Sequence, residues 1–486
     1  MKRRELMKRK SAISSSFRSV DFYVLLLCVL LRIASGPTAD FSYIVIAFYS
    51  LRGRRQAIEA LTLSFIFTNL NPHLFPSASY SDLLRYFVVA TAFVSVFFRR
   101  SESNPIRFDS ASFILCTFGL YIIVHSLLFS QYATISLLKS VTWLMTMLTA
   151  VFAWKLLSPL DFVVLKNRFW FLLGAVIVCS ILVSSMSAAY LPRTNFLRGV
   201  LFHSQALGSL ASVVAVWALI SAFSAKRPSS ILLILGLAAA YCVYLSGART
   251  ALVAFLGAMA FALVASFFRP TGSKAFRFPG LKDGRVVTVV LIAMAVSLVQ
   301  YDRIYSAIVD AFLKYGSDFQ GMSFMGAYTE SRGDLISEMW SNIIKDPIMG
   351  IGFGLPSDLA SLNITSVFGI PIGAPVEKGV TPIAVWEEIG VIGAILFLMW
   401  LFAVSLRTLR GGGVQAAVLI TIMLINLGEA SLMSAGGIGL FQIIVIGWLS
   451  SKAESKSNQK GAAAPNRIGR HIRPPQFRHG APKHYR

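Results

Sequence analysis

The chain has 486 residues, of which 56% are hydrophobic and only 14% charged, and its mean hydropathy is +0.68. A water-soluble globular protein of this length would carry nearly twice that charge, so that class is excluded. A net charge of +23 would suggest nucleic acid in a soluble protein, but the placement of the charges argues for a membrane instead.

Apolar runs near 22–34, 39–51, 58–71, 82–98, 110–129, 136–156, 167–187, 203–223, 230–246, 250–268, 286–302, 384–405, 414–429 and 434–450 are candidate spans. Several are shorter than the ~20 residues needed to cross a bilayer, so the first pair can form a re-entrant hairpin and the count is twelve to fourteen. With the N-terminus inside, 34 of the 45 lysines and arginines fall in inner segments. That bias places the long polar stretch 303–379 on the outer face. The expected fold is an all-α polytopic membrane protein of 12–14 transmembrane helices, with one long outer loop containing amphipathic helices. Its parts are a basic cytoplasmic N-terminus (1–20), transmembrane helices (21–302), an outer loop (303–383), C-terminal transmembrane helices (384–450) and a disordered basic cytoplasmic tail (451–486).

The N-terminus, Met1-Lys2-Arg3-Arg4 to Lys10, precedes an apolar run without a convincing cleavage site and reads as an uncleaved start-transfer anchor. Cys28, Cys116, Cys179 and Cys242 each stand alone inside apolar runs, which suggests packing and neither a disulfide nor a metal. His73 and His125 are lone histidines of the first third, and such residues more often bond a neighbouring helix than act chemically.

After the seventh span an outer loop carries Arg193 and Arg198, and the next span opens Phe202-His203-Ser204-Gln205-Ala206-Leu207-Gly208. Arginines on the outer face break the charge bias, so an anionic partner at the membrane surface is expected for them. The same holds for Arg249 in the short hinge Ser246-Gly247-Ala248-Arg249-Thr250, for which the alternative is a side chain snorkelling to lipid headgroups.

Within the long loop, Leu335, Ile336, Met339, Trp340, Ile343 and Ile344 form one apolar stripe at helical spacing, opposite Asp334, Glu338, Asn342 and Lys345. Ser331 is the expected N-cap, with Asp334 as the acidic half of a capping box and Pro347 as the stop. Arg332 would then lie at the positive end of the helix dipole, a strong site for a phosphate or carboxylate; neutralisation by Glu330 or Asp334 on a solvated loop is the competing reading. The following Pro347-Ile348-Met349-Gly350-Ile351-Gly352-Phe353-Gly354 lacks the strand that a dinucleotide fingerprint needs. It reads as a tight turn packed on the membrane surface. Asn363-Ile364-Thr365 matches a glycosylation sequon too short to weigh. Glu377, Glu387 and Glu388 flank the start of the next span, and Glu377 is a candidate proton acceptor unless it is merely paired with Lys378. His471, His479 and His484 of the tail lack ligand spacing, and no metal is assigned.

Five motifs together, the Phe202 to Gly208 opening, the Ser246 to Thr250 hinge, the loop with Arg332 to Trp340, the Pro347 to Gly354 turn and Glu388-Ile389-Gly390, resemble the bacterial O-antigen ligase and polymerase family over roughly residues 165–450. The resemblance implies a membrane glycosyltransferase (GT-C-like) architecture in the bacterial inner membrane, with both termini cytoplasmic. It implies metal-independent transfer, without a cofactor, of glycan repeats carried on undecaprenyl diphosphate to a glycan or lipid acceptor. Arg249 and Arg332 would grip the diphosphate; Arg193, Arg198, His203, Lys378 and Glu388 would line the substrate. Ligases of the family usually carry a histidine near the end of the long loop, and this chain has none between His203 and His471. Glu377 is therefore the expected base, and a polymerase of exopolysaccharide or O-antigen is favoured over a ligase. Membrane lipids and the export and chain-length proteins of polysaccharide assembly are the expected partners, with no nucleic acid. The alternative is a flippase of the same lipid-linked oligosaccharide, which would need charge lining a cavity through the bilayer.

Overall fold

The computed structural model describes residues 20–98, 108–192, 194–268, 276–288, 324–367, 370–373 and 378–451. The N-terminal and C-terminal basic segments, Arg193, Glu377 and all but the first residues of the expected span 286–302 lie outside them.

The described residues are almost wholly helical. In chain order they form α1 (Val20–Ala34), α2 (Gly36–Ser50), α3 (Arg54–Thr68), α4 (Ser81–Phe97), α5 (Ser110–Leu128), α6 (Ala133–Lys155), α7 (Pro159–Leu182), α8 (Ser204–Ser224), α9 (Ser230–Leu245), α10 (Arg249–Phe267), α11 (Phe324–Lys345), α12 (Thr381–Gly411), α13 (Gly413–Asn426) and α14 (Gly437–Ser450). One short antiparallel hairpin, β1 (Thr365–Val367) with β2 (Ile370–Gly373), pairs Thr365 with Gly373 and Val367 with Ile370. Six helices, α5, α6, α7, α8, α10 and α12, are long and apolar enough to cross a membrane, and α9, α13 and α14 are shorter apolar helices. This is the pattern of a multi-pass membrane protein. Helices α1 to α3 have 15 residues each, ~22 Å of rise, less than a typical ~30 Å hydrocarbon core.

Connections between the helices gather into two groups. In one, Asn71 N donates to Val200 O, Leu197 N to Leu245 O and Ala430 N to Lys378 O. In the other, Arg54 reaches Leu156 O, while Lys155 and Arg407 both pair with Asp109. The first group includes the segment that follows α11 and is called the loop end below; the second carries the arginine-rich connections and is called the basic end.

Helix α8 is the centre of the bundle: 89% of its most apolar stretch is buried, against 22% for α10 at the rim. Its sequence explains the position, because Gly208, Ser209, Ala211, Ser212, Ala215, Ala218 and Ala222 let neighbouring backbones approach closely. Helix α10 turns only Ala251, Ala254, Ala258 and Ala262 inward. Trp170 of α7 stacks on Trp217 of α8 at 4.2 Å and meets Trp448 of α14 edge-on.

Charge buried near the basic end is paired. Glu59 and Arg168 are 1% and 2% exposed and lie 2.9 Å apart, and the Tyr49 hydroxyl also donates to Glu59. Arg55 adds contacts to Asp21 and Asp161, so α1, α2, α3 and α7 share one cluster. Breaking a buried pair strands a charge, whereas replacing both partners removes the problem. Arg168→Met is therefore expected to cost about 3–5 kcal/mol. Combining it with Glu59→Met should recover most of that loss, as measured by unfolding of the purified protein in detergent.

Candidate functional site

The site is built around a break in α12. The helix runs from Thr381 to Gly411, but Ile389 (φ −130°, ψ 18°) and Gly390 (φ 66°, ψ −177°) leave helical geometry in its middle. Gly390 occupies a backbone region closed to side chains, and a Cβ there would overlap the carbonyl of Ile348. A break in an apolar helix leaves backbone groups without their usual partners. Here the missing bonds come from the glycine-rich turn after α11. Ile351 N donates to Glu387 O and Gly352 N to Glu388 O, both at 2.9 Å; Val391 N donates to Pro347 O at 3.0 Å. The Tyr121 hydroxyl donates to the carbonyl of Ile389.

The turn inserts between α5, α6 and α12. Gly350, Gly352 and Gly354 have φ of 74°, 119° and 69°, and Cβ atoms there would meet Glu387 O, Ser130 and Lys139. His125 bonds Met349 O, Ser136 bonds Phe353 O and Lys139 bonds Gly354 O, so three side chains of α5 and α6 grip the turn. His125 thus bonds a neighbouring segment, as lone membrane histidines commonly do.

The side chains at the break repeat the backbone's arrangement. Glu387 accepts from Asn342 Nδ2 at 2.8 Å, Ser357 Oγ at 3.1 Å and Lys378 Nζ at 2.7 Å. Glu388 accepts from Lys378 Nζ at 3.1 Å and from Gly354 N at 2.8 Å. All three charged residues are buried. Lys378 and Glu388, both expected to line the substrate, thus spend their charge on each other and on the loop.

The expected cap of α11 is also corrected. The helix already includes Phe324, so Ser331 and Arg332 lie in its interior. Met325, Ala327 and Glu330 are good helix formers that carry the helix past the anticipated start. A macrodipole acts only within the first turn, so it lends Arg332 no anion affinity; the side chain of Arg332 is outside the described set.

Arg198 is 5% exposed and gives Nε and Nη2 to the carbonyl of Ala188, at 3.3 and 3.2 Å, closing the loop between α7 and α8. Burial lowers its pKa, although a guanidinium stays charged at neutral pH. His203 caps α8, its Nδ1 accepting from Gln205 N, with the residue exposed. Arg249 is half-buried and opens α10. Its hinge is tight: Gly247 (φ 60°) lies against the Phe196 ring and Gly208 against Ala248. Thr250 Oγ1 donates to Glu429 Oε1 at 2.9 Å, and the next residue, Ala430, donates its amide to Lys378 O at 3.1 Å. One turn between α13 and α14 thus touches both the arginine hinge and the end of the long loop.

Three residues of this end escape a reading of the sequence: Glu429, Lys139 and Arg85. The Arg85 guanidinium reaches across from α4 to Gly436 at the start of α14, where a Cβ would lie 2.6 Å from Nη1. Arg85 and Lys139 belong to the minority of basic residues outside the inner segments, so the argument that singles out Arg198 and Arg249 applies to them equally. Among the described residues no group of His, Cys, Asp and Glu could hold a metal ion.

Two outcomes test the break. Gly390→Ala is expected to cost more than the ~1–3 kcal/mol of backbone strain alone, because it also strikes a carbonyl; thermal unfolding measures it. Lys378→Met is expected to cost about 3–5 kcal/mol and to open the segment after α11 to protease in membranes. Adding Glu387→Gln and Glu388→Gln should restore part of the protection. The comparisons with known proteins add no name to this geometry: no family model matches the chain, and no curated protein matches it.

Proposed function

We propose that the chain is a membrane glycosyltransferase acting on glycan repeats carried by undecaprenyl diphosphate, most consistent with a polymerase of exopolysaccharide or O-antigen. The Lys/Arg asymmetry favours an inner-membrane protein with its loop end in the periplasm and both termini in the cytoplasm. The observation that carries the reading is the turn Glu429-Ala430, bonded to Thr250 on one side and to Lys378 on the other. It brings the Arg249 hinge and Lys378, at the end of the loop, to a common neighbour, though the two are far apart in sequence. The resemblance of the five motifs to O-antigen ligases and polymerases supplies the substrate class.

The chemistry follows from charge. Cleaving the sugar to diphosphate bond leaves negative charge on the departing phosphate, and guanidinium groups aimed at it stabilise that charge where the dielectric is low. In this reading Arg249 and Arg332 hold the diphosphate, and Glu377 accepts the proton of the attacking hydroxyl. Arg85 and His203, at the same end of the bundle, are further candidates for the glycan or its carrier. Lys378, Glu387 and Glu388 act on the loop instead, holding the residue next to Glu377 in place.

Arg332→Lys and Arg249→Lys should each lower transfer by about 10²–10³ while leaving the protein folded, since lysine lacks the bidentate fork. Glu377→Gln should depress the rate and flatten its rise with pH, measured on purified protein with a lipid-linked repeat; unchanged kinetics would remove it as the base. In cells lacking the protein, single repeats linked to lipid should accumulate on the outer leaflet with loss of the polymer ladder. Accumulation on the inner leaflet would instead make the protein a flippase.

A further inference from the structure

The apolar stripe of α11 is split between two environments. Met339 and Ile343 are 0% and 3% exposed, buried as α11 packs on α12. Trp340, Ile344 and Ile348 are 48%, 68% and 53% exposed. Trp340 and Ile344 are four residues apart, one above the other on a single line of the helix, and Ile348 follows in the turn. Asn342 bonds both Ser357 O and Glu387, so the helix is fixed and the line does not owe its exposure to a loose end. Large apolar side chains left in water forgo the favourable transfer that burial would give them.

What lies beside the line identifies its cover. Helix α12 is one of the six able to cross a membrane, and its exposed residues Ile392, Ile395, Met399 and Phe402 form a second stripe that begins next to the break. Trp340 meets Trp386 of α12 edge-on at 5.9 Å, and Trp386 Nε1 donates to Pro347 O. Paired tryptophans with one polar end satisfied are suited to the boundary between headgroups and acyl chains. On the side away from this line, α11 exposes Glu338 and Lys345.

We infer that the line Trp340, Ile344 and Ile348 is immersed in the bilayer, with the acyl chains of ordinary membrane lipid as its occupant. Helix α11 is then an amphipathic interfacial helix continuous with the lipid-facing stripe of α12, not a water-exposed part of a loop. A protein partner covering the line would have to end where the lipid-facing stripe begins, whereas lipid covers both without a seam. The inference is independent of whether the chain transfers a glycan.

The test uses the full chain with a diazirine-bearing residue in place of Ile344, Trp340 or, on the opposite face, Glu338. Each variant is reconstituted in vesicles of phosphatidylethanolamine and phosphatidylglycerol carrying radiolabelled acyl chains, and then irradiated. Label is expected on the Ile344 and Trp340 variants at a level severalfold above the Glu338 variant, with thermal unfolding unchanged in all three. Equal labelling at the three positions, no labelling, or a crosslink to protein would overturn the inference. The exposure of Ile344 makes that variant the safest for folding, and its labelling relative to the Glu338 variant is sufficient to decide.

Discussion

The structure depends on how a broken helix keeps its backbone bonded. In hydrocarbon an unpaired carbonyl or amide costs several kcal/mol, so an interruption such as Ile389-Gly390 persists only if other groups take over the lost bonds. The turn Pro347 to Gly354 does this from both sides, giving two amides and taking one. The turn must come within van der Waals distance of α12's backbone, which is why glycine stands at 350 and at 390. Lys378, Glu387 and Glu388 then tie the far end of the long loop to the same place.

Buried charge serves the bundle differently at its two ends. At the basic end Glu59, Arg168 and Tyr49 join helices to helices. At the loop end the carboxylates of Glu387 and Glu388 join a helix to irregular chain, taking donors from Asn342, Ser357 and the Gly354 amide. Isolated pairs of this kind contribute little net stability when compared with apolar packing. Their effect here is to fix which segments meet. A similar role falls to Asn426, which bonds Thr381, Leu432 N and Gln442 and so gathers the ends of α12, α13 and α14.

Much of the helical bundle was legible in the sequence because long apolar runs have few alternatives in a chain this hydrophobic. Thirteen of the fourteen expected runs correspond to helices among the described residues, and the remaining run lies almost entirely outside them. The start of α11 was not legible, since Ser331 and Asp334 imitate a capping box while Met325, Ala327 and Glu330 before them favour continuing the helix. The break was hidden for a different reason. Glu387-Glu388-Ile389-Gly390-Val391 reads as the polar edge of an apolar span, and only a partner about forty residues earlier reveals that Gly390 is left-handed. Lys378 and Glu388 were visible as charged residues near a span, but their mutual burial is a long-range property that no local pattern encodes. Glu429 stood in a short connection of α13 to α14 whose contact with Thr250 only the fold creates.

The order of the chain around the break bears on biogenesis. Tyr121, His125, Lys139 and residues 347–352 all precede Ile389, so a ribosome finishes every partner of the interruption before the interruption itself emerges. Helix α12 can therefore leave the translocation machinery already bent, with its donors and acceptors waiting, and need never rest among lipids as a straight rod that must later be snapped.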